Sequence, residues 1–209
     1  MDALFLAELN ERLFVQFSQG LWRAPLGQRH LDVFPIDEAR VGRIVCAEPA
    51  DVTRAMSGLG QGHADPNHLQ DVWLAERLTA MKLRAIEGFD DQAQSVAVPV
   101  LSGRDVISGP VVLLSAADTP LDAIVQVMLA GAERGVLWKP APKAAASAHY
   151  VMRALGPLAG GNLAMVQGDH ATGLAVAGQG RLIWASAQPV PEELGTPALK
   201  LSARVPRRQ

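Results

Sequence analysis

Two glycines five positions apart, Gly168 and Gly173, enclose Asp169, His170 and Thr172. They follow the apolar run Leu163 to Val166 and precede a short helical run, Leu174 to Ala177. Glycines so placed let a backbone approach a phosphate, with the free N–H groups of a helix start facing it. The spacing is not G-x-G-x-x-G and no phosphate-loop lysine follows, so an ordinary tight turn explains the pair better. Lys139 ends another apolar run, Val136 to Trp138, and could reach a ribose or phosphate, although a solvated lysine is the plainer reading. Asp169 and His170 have the side chains of an acid–base pair, but no further group converges on them in sequence. Ser115 has no Gly-x-Ser-x-Gly elbow around it, which argues against a hydrolase nucleophile. His63 and His68 sit five residues apart in a Gly/Asp/Pro loop and match no dense ligand set, so no metal site is assigned. Cys46 is the single cysteine, which excludes an intrachain disulfide. Beside apolar neighbours, without an adjacent cation or a following helix start, it reads as a buried structural thiol.

The elements that would position these residues begin with a βαβ unit at Gly109 to Pro140. Val111 to Leu114 is a short, β-branched run. Pro120 then suits a helix first turn, and Leu121, Ile124, Val125, Met128 and Leu129 recur at helical spacing. Val136 to Trp138 follows as a second strand. Ala144 to Leu155 is the next helix, Leu163 to Val166 a third strand, Arg181 to Trp184 a fourth, and Leu199 to Val205 a candidate last one. From about Pro99 onward this alternation predicts an open, mostly parallel α/β sheet with helices on both faces. Ligands of such sheets collect at the carboxyl ends of the strands, which here are Ser115 to Thr119 and Lys139 to Pro142. Upstream, Leu4, Leu9, Leu13 and Phe17 predict an amphipathic helix over Asp2 to Phe17, ended by Gly20. Leu31 to Phe34 and Val41 to Val45 suggest a hairpin, and Pro49-Ala-Asp51 and Leu69 to Phe89 two further helices. The expected division is an N-terminal helix/hairpin/helix segment, 1–98, packed on an α/β domain, 99–209.

Bulk properties limit the function classes. Hydrophobic residues make up 49% and charged residues 19% of 209, enough for a sizeable core. A net charge of −2 gives no nucleic-acid footprint. No apolar run approaches the roughly 18 residues of a membrane span, and the N-terminus lacks a signal-peptide pattern. Cytoplasmic localisation, with no nucleic-acid or membrane partner, is the expectation.

The order of pieces resembles the cofactor-binding part of the NAD(P)-dependent aldehyde dehydrogenases. The resemblance runs through Gly20-Leu-Trp22, Val33-Phe-Pro35, Gly42-Arg-Ile44 and Ala50-Asp-Val52, then Pro110 to Pro120. It continues through Ala130-Gly131, Val136-Leu-Trp-Lys139-Pro140-Ala141, Gly161-Asn-Leu163 and Val166-Gln-Gly168 to Thr172-Gly173. It implies a Rossmann-like fold, NAD or NADP as the possible cofactor, and Lys139, Gly168 and Gly173 as the cofactor-binding residues. It also locates departures. The family's oxyanion-stabilising asparagine corresponds to Asp118, where a carboxylate would repel the developing charge that an amide stabilises. Its Phe-Thr-Gly-Ser motif corresponds to Trp184-Ala185-Ser186-Ala187, its ribose-binding acid to Pro142, and its catalytic glutamate to Lys200. The chain ends at Gln209, ahead of the part that carries the nucleophilic cysteine in that family, and Cys46 lies far from that place.

The resemblance therefore implies a degenerate NAD(P)-binding fold with no catalytic residues of its own and no tightly bound cofactor. Such a chain would act as a binding or assembly module, meeting a protein partner or a second copy through the surface that the family's catalytic domain covers. The alternative is an NAD(P)-binding oxidoreductase subunit completed by a second polypeptide.

Overall fold

The computed structural model describes residues 13–33, 42–91 and 109–201. It opens on strands where the apolar spacing predicts the end of a helix: β1 (Leu13–Phe14), β2 (Gln16–Ser18) and β3 (Leu21–Arg23). The turn between β2 and β3 explains the difference. Gln19 and Gly20 both take positive φ, 53° and 75°, which suits a two-residue hairpin loop and stops a helix. Phe17 then pairs with Trp22 across the hairpin, rings edge to face at 4.9 Å. Leu13, on the supposed helical stripe, is exposed, while Phe14, off it, is buried. Residues 2–12 of the expected helix lie outside the described residues, as do Gln92 to Ser108 and the expected strand beyond Leu201.

β4 (His30–Val33) and β5 (Gly42–Val45) form the antiparallel hairpin that their apolar runs predict, and β1 joins β5 in parallel. Two helices follow, α1 (Pro49–Ser57) and α2 (Pro66–Ile86), each with proline in its first turn. The alternating half comprises β6 (Val111–Ser115), α3 (Leu121–Gly131), β7 (Val136–Pro140), α4 (Ala145–Leu155) and β8 (Leu163–Met165). It continues through α5 (His170–Ala177) and β9 (Arg181–Ala185) to β10 (Ala198–Leu201). The large sheet has the order β10-β9-β6-β7-β8-β2-β3, parallel from β10 to β8, with β2 and β3 added antiparallel. This is the open, mostly parallel α/β sheet the alternation predicts. No described helix is long and apolar enough to cross a membrane.

Strand alternation sorts the core into two layers. Val111, Leu113, Val136, Trp138, Leu163, Met165 and Ile183 face one way and pack with α2, α3 and α4. Val112, Leu114, Leu137, Ala164, Val166 and Leu182 face the other way, toward Val52 and Ala55 of α1 and Val176 and Ala177 of α5. Helices thus cover both faces, which is why the central strands read as unbroken apolar runs.

A buried charge cluster ties the first layer together. The Arg84 side chain is fully buried near the end of α2. It donates to Asp91 Oδ1 at 3.1 Å, to Glu87 Oε2 at 3.4 Å and to the Thr119 carbonyl at 3.3 Å, with its guanidinium 4.4 Å from the Phe89 ring centroid. Glu87 in turn accepts from the Ser147 N–H and hydroxyl in α4, at 3.0 and 2.6 Å, and Asp91 from the Leu121 N–H in α3, at 2.8 Å. Removing the cation strands two buried carboxylates, the kind of loss that costs about 3–5 kcal/mol. Arg84→Met should therefore lower the urea midpoint by an amount corresponding to about 3–5 kcal/mol, whereas Arg77→Met, whose Asp122 partner is partly exposed, should cost well under half as much.

Candidate functional site

After β6 the chain moves outward through β7 and β8, then returns to place β9 on the other side of β6. The gap between the carboxyl ends of β6 and β9 is the topological switch point where open α/β sheets bind ligands. A pocket of about 230 Å³ lies there, lined by Ala116, Ala117 and Asp118 after β6 and by Ser186, Ala187 and Gln188 after β9, with Phe89 and Lys143 beside them. Its walls are fixed by short bonds. The Ala185 carbonyl accepts from the Ala116 N–H at 2.8 Å and the Thr119 hydroxyl at 2.6 Å. The Ser186 hydroxyl accepts from the Gln188 N–H at 3.1 Å, and the Trp184 indole donates to the Gln188 carbonyl at 2.9 Å. Lys200 on β10 donates to the Ala187 carbonyl at 3.3 Å.

The lining offers a carboxylate, an ammonium, a hydroxyl and an amide, groups that can hold a small polar molecule by hydrogen bonds. Ser115 points away from it: its buried hydroxyl accepts from the Trp138 indole at 2.9 Å. Asp118, Ser186 and Ala187, three positions that depart from the family pattern, share this one pocket. Phe89, Lys143 and Gln188 were not legible as site residues. Lys143 offered one signal, its position five residues beyond the end of the predicted strand Val136 to Trp138.

Lys139, Gly168 and Gly173 belong to a different place. Lys139 is the penultimate residue of β7, on the layer that faces α1 and α5, and is 8% exposed rather than solvated. Burial lowers its pKa to about 8, against the fields of Asp169 and Cys46, which favour its charge. Gly168 turns the chain into α5, and a Cβ there would lie 2.1 Å from the Thr172 hydroxyl. Gly173 lies inside α5, which starts at His170, four residues ahead of the sequence expectation. Added at Gly173, a Cβ would meet nothing within 4 Å.

Asp169 and His170 turn to separate partners. The Asp169 carboxylate caps α5 through the Thr172 N–H at 3.2 Å and takes both Arg29 guanidinium nitrogens, the second at 3.3 Å. The Arg29 hydrogen bond is the main reason its pKa falls to about 2. His170 Nε2 is 2.7 Å from Glu193 Oε1, both exposed. Cys46 is buried, as expected, but not for want of cations. The fold brings Arg29 and Lys139 to it, and their fields favour the thiolate. Desolvation nevertheless outweighs them and raises its pKa, which disfavours the thiolate. Among the described residues no group of three or more His, Cys, Asp or Glu side chains could hold a metal ion.

A bound dinucleotide needs a helix start for its pyrophosphate. Each described α-helix start is already met by a carboxylate of the chain itself. Glu48 and Asp51 exchange capping bonds at α1, and Asp65 accepts from the Asn67 N–H at 2.9 Å at α2. Asp91 serves α3, Glu87 serves α4 and Asp169 serves α5. The connection from β9 to β10 contains no α-helix, only the 3₁₀ turn Glu192–Leu194. Pro142, at the place of the family's ribose-binding acid, opens another 3₁₀ turn and offers no carboxylate. These residues do not fit a dinucleotide in the usual manner.

Two measurements test the roles of the expected cofactor residues. The folded-state pKa of Lys139, about 8, lies below its ordinary 10.5, so its charge costs stability below pH 8 and the cost fades between the two values. Lys139→Met should stabilise the protein at pH 7, by on the order of 3 kcal/mol at about 1.4 kcal/mol per tenfold change in proton affinity. That gain should shrink as denaturation is repeated from pH 8 toward pH 10.5. Gly173→Ala, with room for its methyl group in a helix, should add roughly 0.4–1 kcal/mol in the same assay.

No protein-family model matches the sequence, and no curated protein does. Solved structures do match the fold. An NAD+ complex of an aldehyde dehydrogenase from Bacillus cereus aligns with a TM-score of 0.63 at 17% identity, over 85% of this chain and 46% of that one. A Delta-pyrroline-5-carboxylate dehydrogenase from Mycobacterium tuberculosis, bound with NAD and cobalamin, aligns at 0.62 and 15% identity, over 87% and 44%. A salicylaldehyde dehydrogenase from Pseudomonas putida G7 aligns at 0.60 and 14% identity, over 82% and 46%. The chain spans less than half the length of each. What it shares with these aldehyde dehydrogenases is a fold, the Rossmann-like α/β architecture of their NAD-binding part.

Proposed function

We propose that this chain is an aldehyde-dehydrogenase-like binding or assembly module, without aldehyde oxidation of its own and without a tightly held NAD or NADP. The observation that carries the reading is the occupation of the crossover-helix starts by Asp91, Glu87 and Asp169. A phosphate arriving there would have to displace a carboxylate already bonded to the backbone, and in two cases one shared with a buried arginine. Pocket size supports the same reading, since about 230 Å³ is below the ~300–1,000 Å³ usual for small-molecule sites. With a carboxylate at 118 and a cation at 200, the site also opposes oxyanion stabilisation and lacks the general base that the family resemblance would require. In this reading the chain works by contact with another polypeptide or another copy, and the pocket takes a small polar group at most.

A second reading, a cofactor-binding subunit completed by another chain, is favoured by the open space beside Gly173 and by the NAD found in the Bacillus cereus relative of the fold. Thermal denaturation with NAD+, NADH and NADP+ at 1 mM separates the two. A site with a dissociation constant of about 10 μM would stabilise by roughly 2.7 kcal/mol, a rise of roughly 5–11 °C at this size. The module reading expects a shift below about 1 °C with all three. A rise of several degrees that is lost in Gly173→Ala would establish the second reading instead.

A further inference from the structure

On α2, the buried side carries Leu69, Trp73, Ala80, Met81, Leu83 and Arg84. On the opposite side Asp71, Leu74, Ala75, Leu78 and Lys82 follow one another at helical spacing, and all are exposed. Leu74 is 60% and Leu78 63% exposed, the two most exposed large apolar side chains among the described residues, and they form a pair one turn apart. The charged residues between them do not break the stripe. Arg77 is drawn inward onto Asp122, and Glu76 accepts from the Tyr150 hydroxyl. What remains outward is a short apolar patch with an acid at one end and a base at the other. Asp71 and Lys82 make no ion pair among the described residues.

This order of side chains is complementary to itself when reversed. If a second helix runs antiparallel, with a two-fold axis near Glu76 and Arg77, Asp71 of each copy falls opposite Lys82 of the other. Leu74 falls opposite Leu78, and the small Ala75 lets the helices approach closely. A parallel pair would instead set Asp71 against Asp71 and Lys82 against Lys82, so charge selects one orientation. Residues 71 and 82 are about 16 Å apart along the axis at 1.5 Å per residue, so the apolar patch lies wholly between the two ion pairs. We infer that α2 is a homodimer interface, an isologous antiparallel helix pair built from Asp71, Leu74, Ala75, Leu78 and Lys82. It is independent of whether the switch-point pocket binds anything.

Sedimentation equilibrium of the full chain over about 1–200 μM tests it. The expected result is a reversible dimer, weakened at least tenfold by Leu78→Asp with the circular dichroism spectrum unchanged. Asp71→Lys and Lys82→Asp should each weaken it similarly, because each sets like charges opposite one another. Mixed in equal amounts, these two single variants should form a heterodimer at wild-type strength, since every opposed pair is then attractive. A wild-type monomer throughout the range would overturn the proposal. So would a dimer insensitive to Leu78→Asp, or failure of the mixed variants to associate.

Discussion

The arrangement of this protein depends on one buried guanidinium. Arg84 has no access to solvent, so its charge is tolerable only because Glu87 and Asp91 are held against it. Each carboxylate also meets a helix start, Glu87 that of α4 and Asp91 that of α3. The same arginine bonds to the Thr119 carbonyl in the turn after β6 and lies over Phe89, so it also sets the back of the switch-point pocket. Two acids share one base here, and burial pushes the Glu87 carboxyl up against the opposing pull of Arg84 and the Ser147 hydrogen bonds. The helix starts at α3 and α4 supply the remaining positive potential.

That solution bears directly on ligand chemistry. A helix start can stabilise an incoming phosphate or a resident carboxylate, but not both at once with full effect. In this chain the crossover helices use resident carboxylates, supplied from within α5's own cap and from the end of α2. The dinucleotide architecture persists because it depends on apolar strands and alternating helices. Phosphate recognition depends on a few N–H groups being left free, and resident acids compete for those same groups. On the proposed reading, fold and cofactor binding part company with little effect on the core.

The alternation of strands and helices after residue 109 was legible because each strand is a short apolar run, α3 repeats at 3.6 and α4 is rich in alanine. The hairpin of β4 and β5 was legible in the same way. The helix expected over Asp2 to Phe17 gives way to strands from Leu13 onward, since four-residue spacing of Leu9, Leu13 and Phe17 imitates a stripe. The real signal, Gln19-Gly20, is an uncommon pair for a hairpin turn. The pocket was partly legible: Asp118, Ser186 and Ala187 stood out as departures from the family pattern. Nothing in the sequence said that they share a wall with Phe89 and Lys143.

By itself the sequence determined the local order, the two-sided apolar strands and the side chains available for chemistry. Only the tertiary structure decided which charges meet. Arg29 and Asp169 are 140 positions apart, Asp91 and the start of α3 are 30 apart, and the return of β9 beside β6 creates the crevice. Periodicity reports which face of an element is buried, because burial repeats along that element. Electrostatic pairing and desolvation depend on distances between distant segments, and these set Lys139 near 8, Asp169 near 2 and the Cys46 thiol above its ordinary value. Gly168 and Gly173, first noticed as a possible phosphate turn, come out as a packed turn and a helix interior whose starting N–H the chain has already satisfied.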